Sequence, residues 1–363
     1  MSFDAPAAAQ PEIVVAGRRI GPGHEPYVIC ELSGNHNGSL DRALQMVDAA
    51  ADTGCDAIKI QTYTADTITL DCDRPEFRIE GGLWDGRSLY ELYEEAHTPF
   101  EWHGAIFERA RARGVTIFST PFDETAVDLL EDLGAPAYKI ASFEAVDLPL
   151  IAYAASKGKP LIISTGMANL AEMTAARDTA LKAGAAGVGL LHCVSSYPAS
   201  IADANVRTVA DMAARFGCPI GLSDHTPGTA AAVAAVSIGA SLVEKHFTLA
   251  RSDGGPDAAF SLEPDEFSAL VRDCKDAWKA LGRAHYDVLG SERASLTFRR
   301  SLYVTAPVRA GEAFTRANVR SIRPGLGLPP AELEAVLGRV ARRDIGRGEP
   351  LAWEMVEGAL ARP

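Results

Sequence analysis

Short apolar runs alternate with longer amphipathic segments along most of the chain, from about residue 26 to about residue 280. The short runs are rich in β-branched or other apolar residues, and most of them follow a turn signal such as TGCD, SKGKP or FGCP. They predict eight strands, at residues 27–32, 56–62, 115–120, 137–142, 160–165, 188–193, 219–224 and 242–247. The longer segments between them predict helices.

The segment SLDRALQMVDAAADTG is typical of these helices. Ser39 is a favourable N-cap residue, apolar positions recur three and four residues apart, and Gly54 marks the stop. Eight strand–helix units in about 250 residues predict an α/β fold of the (β/α)8 TIM barrel type. A doubly wound open sheet is the alternative, but that fold usually has fewer strands, and no GxGxxG motif follows the first strand here.

One connection is much longer than the others. Residues 62–98 separate the second and third predicted strands and contain five aromatic residues. An insertion of this length at the carboxyl end of a barrel strand is typical of a lid or a substrate-binding loop.

The pattern changes after Gly282. Residues 283–297 are polar and are interpreted as a linker, and short β-like pieces begin at Phe298, where VRAGEAFT and IGRGEPLA repeat one Gly-Glu turn pattern. We therefore expect a barrel domain over residues 1–282, a linker over 283–297 and a small β-rich domain over 298–363. A domain of this size is marginal alone, so we expect it to dock on another surface.

Composition narrows the functional class. The chain has 363 residues, of which 47% are hydrophobic and 23% are charged, and its net charge of −13 argues against nucleic acid as the main partner. No apolar run approaches the roughly 20 residues that span a bilayer, and the first residues lack the pattern of a signal peptide. The six cysteines form no CxxC pair. We therefore expect reduced thiols, a cytoplasmic location and no membrane partner.

Polar residues concentrate at the carboxyl ends of the predicted strands, where the active sites of TIM barrels lie. Alternation places Lys59 and Gln61 on one face of their strand, and Glu244 and His246 on one face of theirs. Because outward faces pack on helices, these ionisable sets should face the barrel axis. Lys245 then points outward and is expected to reach an acidic helix residue.

Two lysines on inward faces predict an anion site. A lone lysine at a strand end is usually solvated or ion-paired, but Lys59 and Lys139 occur on separate strands, and buried cations need anionic partners. Hydroxyl-bearing residues, which could also be helix N-caps, end the same set of strands: Thr120, Ser142, Ser164 and Ser223. Two ammonium groups surrounded by hydroxyls form a receptor for a phosphate and a carboxylate.

His225 and His246 end two adjacent strands. A single histidine on an apolar strand is more often a hydrogen-bonded core residue, but a pair favours an open metal site for Mn²⁺, Co²⁺, Fe²⁺ or Mg²⁺. Glu31 and Glu144 are the carboxylates placed to act as general acid or base. His36, in GNHNG, is expected to order its loop.

Several ordered motifs resemble the sialic acid synthase family: ELSGNHNGSLDRALQMVDAA, DAIKIQTY, FSTPFDETAVDLL, AYKIASFE, STGMA, GLSDHT, EKHFT and GGPD. The resemblance covers the chain from about residue 13 onward, and IRPGLGL is similar to the family's antifreeze-like domain. Members condense phosphoenolpyruvate with an amino sugar to form a nonulosonic acid. FRIEGGLWDGRSLYELYEEAHTPFEWH and FTLARSDGGPDAAFSLEP are most similar to the pseudaminic acid synthases within the family.

The resemblance implies roles for individual residues. Phosphoenolpyruvate would be held by Lys59, Lys139, Thr120, Ser142, Ser164 and Ser223, and the amino sugar would be contacted by Gln61, Glu144, Tyr197 and Asp257. His225 and His246 would bind a divalent metal ion (Mn²⁺, Mg²⁺ or Co²⁺), and Glu31 would be the acid/base residue. Arg323 would reach the acyl-amino group from the partner chain, since the family forms domain-swapped homodimers.

Two departures from the neuraminate synthases are visible: Ser195 stands where they have asparagine, and EKHFT replaces ERHFT. The implied acceptor is 2,4-diacetamido-2,4,6-trideoxy-altrose, and the aromatic candidates for an apolar surface against it are Phe77, Trp84, Tyr90 and Phe260. The alternatives are an N-acetylneuraminate or legionaminate synthase, an aldolase with a Schiff base on Lys139, and a non-catalytic carbohydrate-binding protein.

Overall fold

The computed structural model describes residues 10–358, and the chain divides into two units, residues 1–282 and residues 283–363. The first unit begins with an antiparallel hairpin of β1 (Ile13–Val15) and β2 (Arg18–Ile20). Within the described range, no helix has both the length and the apolar character needed to cross a bilayer.

Eight parallel strands follow the hairpin and close into a barrel. They are β3 (Tyr27–Glu31), β4 (Ala57–Thr62), β5 (Thr116–Pro121), β6 (Tyr138–Ile140), β7 (Leu161–Ser164), β8 (Val188–Cys193), β9 (Ile220–Asp224) and β10 (Leu242–His246). Closure occurs between the last and first strands, where His246 pairs in register with Glu31. The predicted barrel is confirmed, each strand begins and ends within two residues of its predicted bounds, and the open-sheet alternative is wrong.

Helices cover the outer face of the barrel. They are α1 (Leu40–Asp52), α2 (Ala65–Ile68), α3 (Leu89–Ala96), α4 (Phe100–Ala112), α5 (Glu124–Asp132), α6 (Leu148–Ser156), α7 (Leu170–Lys182), α8 (Arg207–Phe216), α9 (Ala230–Ser237) and α10 (Pro264–Leu281). The predicted caps of α1 are present: Ser39 Oγ accepts a hydrogen bond from the Arg42 amide at 3.2 Å, and Gly54 has a φ of +77°.

The barrel interior changes from apolar to polar or ionisable in the direction of the strands. On β4, buried Ala57 is followed two residues later by Lys59, and on β10 Leu242 is followed by Glu244. Residues two apart share a face of a strand, so each pair faces the axis. The same change occurs from Ile29 to Glu31, Phe118 to Thr120, Ala137 to Lys139, Ile162 to Ser164 and Leu191 to Cys193. The amino-terminal end of the barrel is therefore a packed core, and the carboxyl end is a polar chamber.

The hairpin closes the apolar end. Ile13, Val15 and Ile20 are buried in one cluster with the lower interior residues of the strands, which include Leu191 and Leu242. Gly187 leaves room for this contact, because a Cβ there would lie 2.7 Å from Ile13 Cγ2. The sequence pattern did not predict this element, whose strands have only three residues each.

The long connection at residues 62–98 is ordered. It contains α2 and α3, and between them two short 3-10 turns, Pro75–Phe77 and Gly82–Trp84. An antiparallel bridge joins Arg78 to Ser88.

The second unit is turn-rich and has a small apolar core. It contains an antiparallel pair, β11 (Ser301–Val304) and β12 (Val319–Ile322), and the short helix α11 (Leu333–Val336). The two segments with repeated Gly-Glu turns pair with each other, since the Val308 and Ile345 backbones exchange two hydrogen bonds of 3.0 and 2.8 Å. Residues 290–298, which overlap the second half of the predicted linker and include Phe298 of the predicted small domain, form 3-10 turns.

We predict that Ile20→Ala lowers the free energy of unfolding by about 2–5 kcal/mol, because it leaves a cavity at the closed end of the barrel. Val14→Ala is the matched control: Val14 lies on the same hairpin, is 48% exposed, and should change stability by less than about 0.5 kcal/mol. Urea unfolding followed by circular dichroism measures both changes. Equal shifts for the two variants would contradict the role of the hairpin as part of the core.

Candidate active site

A cavity opens at the carboxyl end of the barrel strands. Its lining brings together ten residues to which the sequence assigned a role, Lys59, Gln61, Thr120, Lys139, Ser142, Ser164, Tyr197, Ser223, His225 and His246, with four others, Phe122, Ala141, Cys193 and Glu244, of which Glu244 was expected to face inward. Every barrel strand except β3 supplies at least one of these residues directly or through the loop that follows it. β3 supplies Glu31, which contacts the lining residue Lys59.

The centre of the site is a buried cluster of two lysines and two carboxylates. Lys59 Nζ lies 2.5 Å from Glu31 Oε2 and 3.6 Å from Glu244 Oε1, and Lys139 Nζ also lies 3.6 Å from Glu244 Oε1. Lys59 is 4% exposed and Lys139 is 2% exposed. Glu244 therefore bridges the two ammonium groups, and burial leaves both of them dependent on such partners.

The charges respond to one another. Burial alone would lower the pKa of Lys59, but the carboxylates of Glu244 and Glu31 outweigh burial and raise it. Burial would raise the pKa of Glu244, but Lys139 and Lys59 outweigh burial and lower it. Burial lowers the pKa of Lys139, which has the 3.6 Å contact with Glu244 but lacks the close contact that Lys59 makes with Glu31. Lys59 is thus the more firmly charged lysine, and Lys139 gains most from a further anion.

Each of the two lysines donates a hydrogen bond to a hydroxyl group of the cavity lining. Lys59 Nζ donates to Thr120 Oγ1 at 3.0 Å, and Lys139 Nζ donates to Ser164 Oγ at 2.6 Å. Ser223 Oγ lies 3.4 Å from Glu244 Oε1 and donates to it. The strand ends therefore carry cations and hydroxyl groups within one small volume.

Ser142 is held by the glycine of the STGMA motif. Its Oγ accepts a hydrogen bond from the Gly166 amide at 3.1 Å. A Cβ on Gly166 would lie 2.8 Å from Ser142 Oγ and would also collide with Ser195 Oγ. Only glycine lets these two serines approach the same backbone, so the motif is explained by close packing at the site.

The two histidines lie side by side, with ring centroids 5.3 Å apart. The Val194 carbonyl lies 3.0 Å from His225 Nδ1 and can only accept, so Nδ1 carries a proton. Burial would lower the pKa of His225, but Cys193 outweighs burial and raises it, so Nε2 offers its lone pair once the ring is neutral. His246 Nδ1 is buried without a hydrogen-bond partner and lies 3.7 Å from Asp257 Oδ2. Burial lowers the pKa of His246 well below its usual value, so this ring is neutral.

These features fit a metal ion with few protein ligands. An unpartnered ring nitrogen in a buried site and a second ring with a fixed tautomer are the donors that a divalent ion uses. Within residues 10–358, no group of three or more His, Cys, Asp or Glu side chains is arranged to hold a metal. A metal ion bound at the two histidines would therefore have water or substrate as its other ligands.

The acid/base candidates occupy different surroundings. Glu31 is fully engaged, since its Oε1 accepts from Gln61 Nε2 at 3.0 Å and its Oε2 faces Lys59. Glu144 lies on the 3-10 turn Phe143–Val146 after β6, outside the cavity lining, and its Oε2 is buried without a hydrogen-bond partner. Burial raises the pKa of Glu144 to about 7.

Asp257 joins the site through the first loop. Its Oδ2 accepts a hydrogen bond from Ser33 Oγ, and Ser33 Oγ in turn accepts from Gln61 Nε2 at 3.3 Å. Burial raises the pKa of Asp257. The loop after β10 is thus tied to the strand ends of β3 and β4.

Aromatic rings form a wall beside the histidines. Tyr197 lies 4.4 Å from His225 and 5.3 Å from Phe260, measured between ring centroids, and Phe260 lies 4.9 Å from His246. Trp84, from the long connection, extends the wall, with its ring 5.8 Å from Tyr197. The Trp84 indole also donates to the Pro256 carbonyl at 3.0 Å, which ties the connection to the loop after β10.

The other two aromatic candidates are not part of this wall. Tyr90 is directed to α2, where its hydroxyl donates to Asp66 at 3.2 Å. Phe77 lies on a separate 3-10 turn, and no ring contact joins it to the wall in the described part of the chain. The prediction for Lys245 also needs correction: its partner is Asp224 of the adjacent strand β9, at 2.7 Å, and not a helix residue.

His36 does order its loop, as predicted. Its Nδ1 accepts from the Gly38 amide and its Nε2 shares a hydrogen bond with Thr98, both at 3.2 Å. Arg323 lies in the second unit, directly after β12, and its role stays a prediction.

Glu244, Cys193, Phe122 and Ala141 line the cavity without having been assigned a role in the sequence. A signal existed for Glu244, because it faces inward and two buried lysines require carboxylate partners. Alternation on β8 also places Cys193 inward, two residues after Leu191. Nothing in the sequence distinguishes Phe122 or Ala141 from ordinary loop residues.

Comparisons with known proteins identify the family of the chain. The family model described as "NeuB family" matches residues 46–286, and that of the SAF domain matches residues 299–357. Pseudaminic acid synthase of Campylobacter jejuni is 43% identical over 325 residues, which cover 90% of this chain and 95% of that protein. Pseudaminic acid synthase of Helicobacter pylori is 41% identical over 339 residues, which cover 92% and 99%.

A solved structure is also similar. N-acetylneuraminic acid synthetase from Leptospira borgpetersenii, in complex with citrate, superposes with a TM-score of 0.70 at 31% identity and covers 79% of this chain and 95% of that one. The expected resemblance to the sialic acid synthase family is confirmed. The family-model match and the similarity to these relatives show that the chain, whose fold is a closed barrel, belongs to the NeuB family.

Proposed function

We propose that this chain is a pseudaminic acid synthase that condenses phosphoenolpyruvate with 2,4-diacetamido-2,4,6-trideoxy-altrose and releases phosphate. The observation that carries the proposal is the placement of two buried lysines, ringed by hydroxyls, beside two histidines at one end of a barrel. The two relatives named pseudaminic acid synthase, at 43% and 41% identity, support the choice of product.

Phosphoenolpyruvate binds at the lysines in this proposal. It carries a phosphate and a carboxylate, and the hydroxyls of Thr120 and Ser164 already lie at hydrogen-bond distance from Lys59 and Lys139. Ser142 and Ser223 add donors on the neighbouring strands. In the resting site the two carboxylates balance the two lysines, so a new anion has to compete with Glu244 for both ammonium groups.

The sugar aldehyde lies at the histidines. A divalent ion held by His225 and His246, such as Mn²⁺, Mg²⁺ or Co²⁺, supplies Lewis-acid polarisation of the aldehyde when it is bound. His225 is kept in the tautomer that presents Nε2 by the Val194 carbonyl. Gln61, Asp257 and Tyr197 surround the same space and orient the sugar hydroxyl and amide groups, which holds the two reactants together.

Three proton transfers accompany the bond changes. C3 of phosphoenolpyruvate joins the aldehyde carbon, whose oxygen takes up a proton, and the cation formed at C2 adds water. That water loses one proton to become a hydroxyl on C2, and phosphate then leaves C2 with the proton of this hydroxyl to give the keto acid. Glu144 lies on the turn beside the cavity lining, and its pKa of about 7 suits it to accept the proton through an intervening water, whereas Glu31 is engaged by Lys59 and Gln61 and stabilises the cationic side of the site.

The aromatic wall favours a 6-deoxy acceptor. Trp84, whose indole N–H is already bonded to Pro256, and Phe260 offer an apolar surface near the histidines, which suits a methyl group and gives a hydroxyl no hydrogen-bond partner. The alternative acceptors, those of N-acetylneuraminate and legionaminate synthases, would share the phosphoenolpyruvate and metal residues. Discrimination against N-acetylmannosamine, which carries a 6-hydroxyl, therefore depends on this wall.

The proposal extends to the assembly. As in the family it resembles, the enzyme is a domain-swapped homodimer, in which Arg323 of the antifreeze-like domain (residues 298–363, after a linker at 283–297) contacts the acyl-amino group of substrate bound to the partner's barrel domain (residues 1–282). A cytoplasmic location fits the six cysteines, which are all free.

The reaction class is tested by phosphate release. We expect release only with phosphoenolpyruvate, the amino sugar and a divalent metal together, and a loss of about 100-fold or more in His225→Ala, since Lewis-acid polarisation is worth several kcal/mol. His24→Ala, on the loop after the hairpin, is the control. Borohydride trapping of substrate on Lys139 would instead establish a Schiff-base aldolase, and sugar binding without turnover would establish a non-catalytic protein.

The role of Glu144 is tested by pH dependence. Its carboxyl is neutral below pH 7 and ionised above, so kcat/KM should rise through about pH 7 if it accepts the proton of water. Glu144→Gln should remove this rise and lower the rate by about 100-fold, within the usual range for a general base. Glu101→Gln, exposed on α4, is the matched control. An unchanged rise in Glu144→Gln would assign the ionisation to another group.

The acceptor is tested by a side-by-side assay with N-acetylmannosamine. We expect the trideoxy sugar to have the higher kcat/KM, by about 100-fold, and Trp84→Ala to reduce this preference by about 10-fold without changing the KM for phosphoenolpyruvate. Phe77→Ala is the control from the same connection. Faster turnover of N-acetylmannosamine by the unaltered enzyme would overturn the pseudaminate assignment and leave the synthase assignment intact.

A further inference from the structure

A second buried ion pair lies behind the histidines, on the outer face of the barrel. Lys245 is 0% exposed and Asp224 is 2% exposed, and Lys245 Nζ donates to Asp224 Oδ2 at 2.7 Å. The two residues are in register on β10 and β9. Neither side chain lines the cavity, so the chemistry proposed above gives them no part.

Lys245 and Asp224 also bind Thr226, the residue that follows His225 in the chain. Lys245 Nζ donates to the Thr226 carbonyl at 2.6 Å, and Asp224 Oδ1 accepts from the Thr226 amide and hydroxyl at 2.9 and 2.8 Å. The residues immediately before and after His225 are therefore both bonded to Lys245. Lys245 itself directly precedes His246 in the chain.

The energetics make a purely stabilising role a weak explanation. Burying two charges costs several kcal/mol per ion, and an apolar replacement of a buried pair is often neutral or stabilising. The outward positions on either side of Lys245 are Val243 and Phe247, which pack in the main apolar core. An apolar residue would therefore fit this face as well, while a charged pair adds directional bonds.

We infer that Lys245 and Asp224 are positioning residues that fix the separation of His225 and His246 as metal ligands; this rests on the proposed metal role of those histidines. One ammonium group, with the Asp224 carboxylate and the Thr226 carbonyl as its two oxygen partners, ties the two ligand-bearing backbones together. Ligand positions must be held to about 0.5 Å for a metal site to keep its affinity, and outer contacts of this kind change affinity by roughly 10–100-fold.

The test is the affinity of the full-length, metal-free enzyme for Mn²⁺ alone, measured from the free-ion signal in electron paramagnetic resonance. Lys245→Met and Asp224→Asn should each weaken Mn²⁺ binding by roughly 10–100-fold. Lys245→Arg, which keeps the pair, should recover most of the affinity. Lys275→Met is the matched control, because Lys275 pairs with Asp56 at 3.1 Å at the other end of the barrel and should leave Mn²⁺ binding unchanged.

A kinetic split separates positioning from general damage. The Mn²⁺ concentration for half-maximal activity should rise in Lys245→Met, while the KM for phosphoenolpyruvate at saturating Mn²⁺ stays within about twofold. Asp224→Asn, of nearly the same size as the original residue, provides the same comparison if the methionine variant folds poorly.

Two results would overturn the inference. One is Mn²⁺ affinity within twofold of the unaltered enzyme in both Lys245→Met and Asp224→Asn; the other is an equal loss of Mn²⁺ and phosphoenolpyruvate binding. A parallel measurement on His225→Ala distinguishes this from failure of the proposed function. If His225→Ala binds Mn²⁺ as tightly as the unaltered enzyme, the metal role of the histidines is itself wrong.

Discussion

Charges buried inside a barrel have to be paired, and this constraint governs the carboxyl end of the molecule. Lys59 and Lys139 are both almost fully buried, and Glu244 lies 3.6 Å from each of their ammonium groups. Glu31 provides the second carboxylate, 2.5 Å from Lys59. Removing one member would strand its partner in a medium of low polarity, at a cost of about 3–5 kcal/mol. The four side chains therefore have to be present together, and they fix the geometry into which substrates fit.

The rest of the barrel makes this cluster possible. Its lower interior is filled by apolar side chains and closed by the β1–β2 hairpin, so water reaches the charges only from the carboxyl end. Each strand changes character within two residues, as from Ala57 to Lys59. A buried charged pair also occurs on the outer face of the barrel, where Lys245 bonds to Asp224 and to the Thr226 carbonyl, beside the two histidines in the chain. Apolar packing therefore stabilises the fold, and paired charges set the positions at its active end.

Periodicity in the sequence was sufficient for the strands and for the direction of their side chains. Alternation separates Lys59 and Gln61 from the two isoleucines of β4. In the structure Lys59 and Gln61 line the cavity, and the isoleucines pack in the core outside the barrel. The partner of Lys245 was not predictable in the same way, because it depends on the register between β9 and β10, which a single strand does not encode. The hairpin was missed because three-residue strands carry too short a pattern. Trp84 could be proposed as part of the aromatic wall because its connection is rich in aromatic residues. Its contacts with Tyr197 and Pro256 were not predictable, since they join segments more than 100 residues apart. Tyr90 is an aromatic residue of the same connection, but its hydroxyl bonds to Asp66 instead.

In the proposed enzyme, one chamber holds phosphoenolpyruvate at the two lysines and a divalent metal ion at the two histidines. The most direct measurement is an anomalous difference map from crystals grown with Mn²⁺ and phosphoenolpyruvate. We expect a single strong Mn²⁺ peak within bonding distance of both His225 and His246. We also expect the phosphate and carboxylate of phosphoenolpyruvate within hydrogen-bond distance of Lys59 and Lys139. A Mn²⁺ peak away from either histidine, or phosphoenolpyruvate bound without contact to the two lysines, would contradict it.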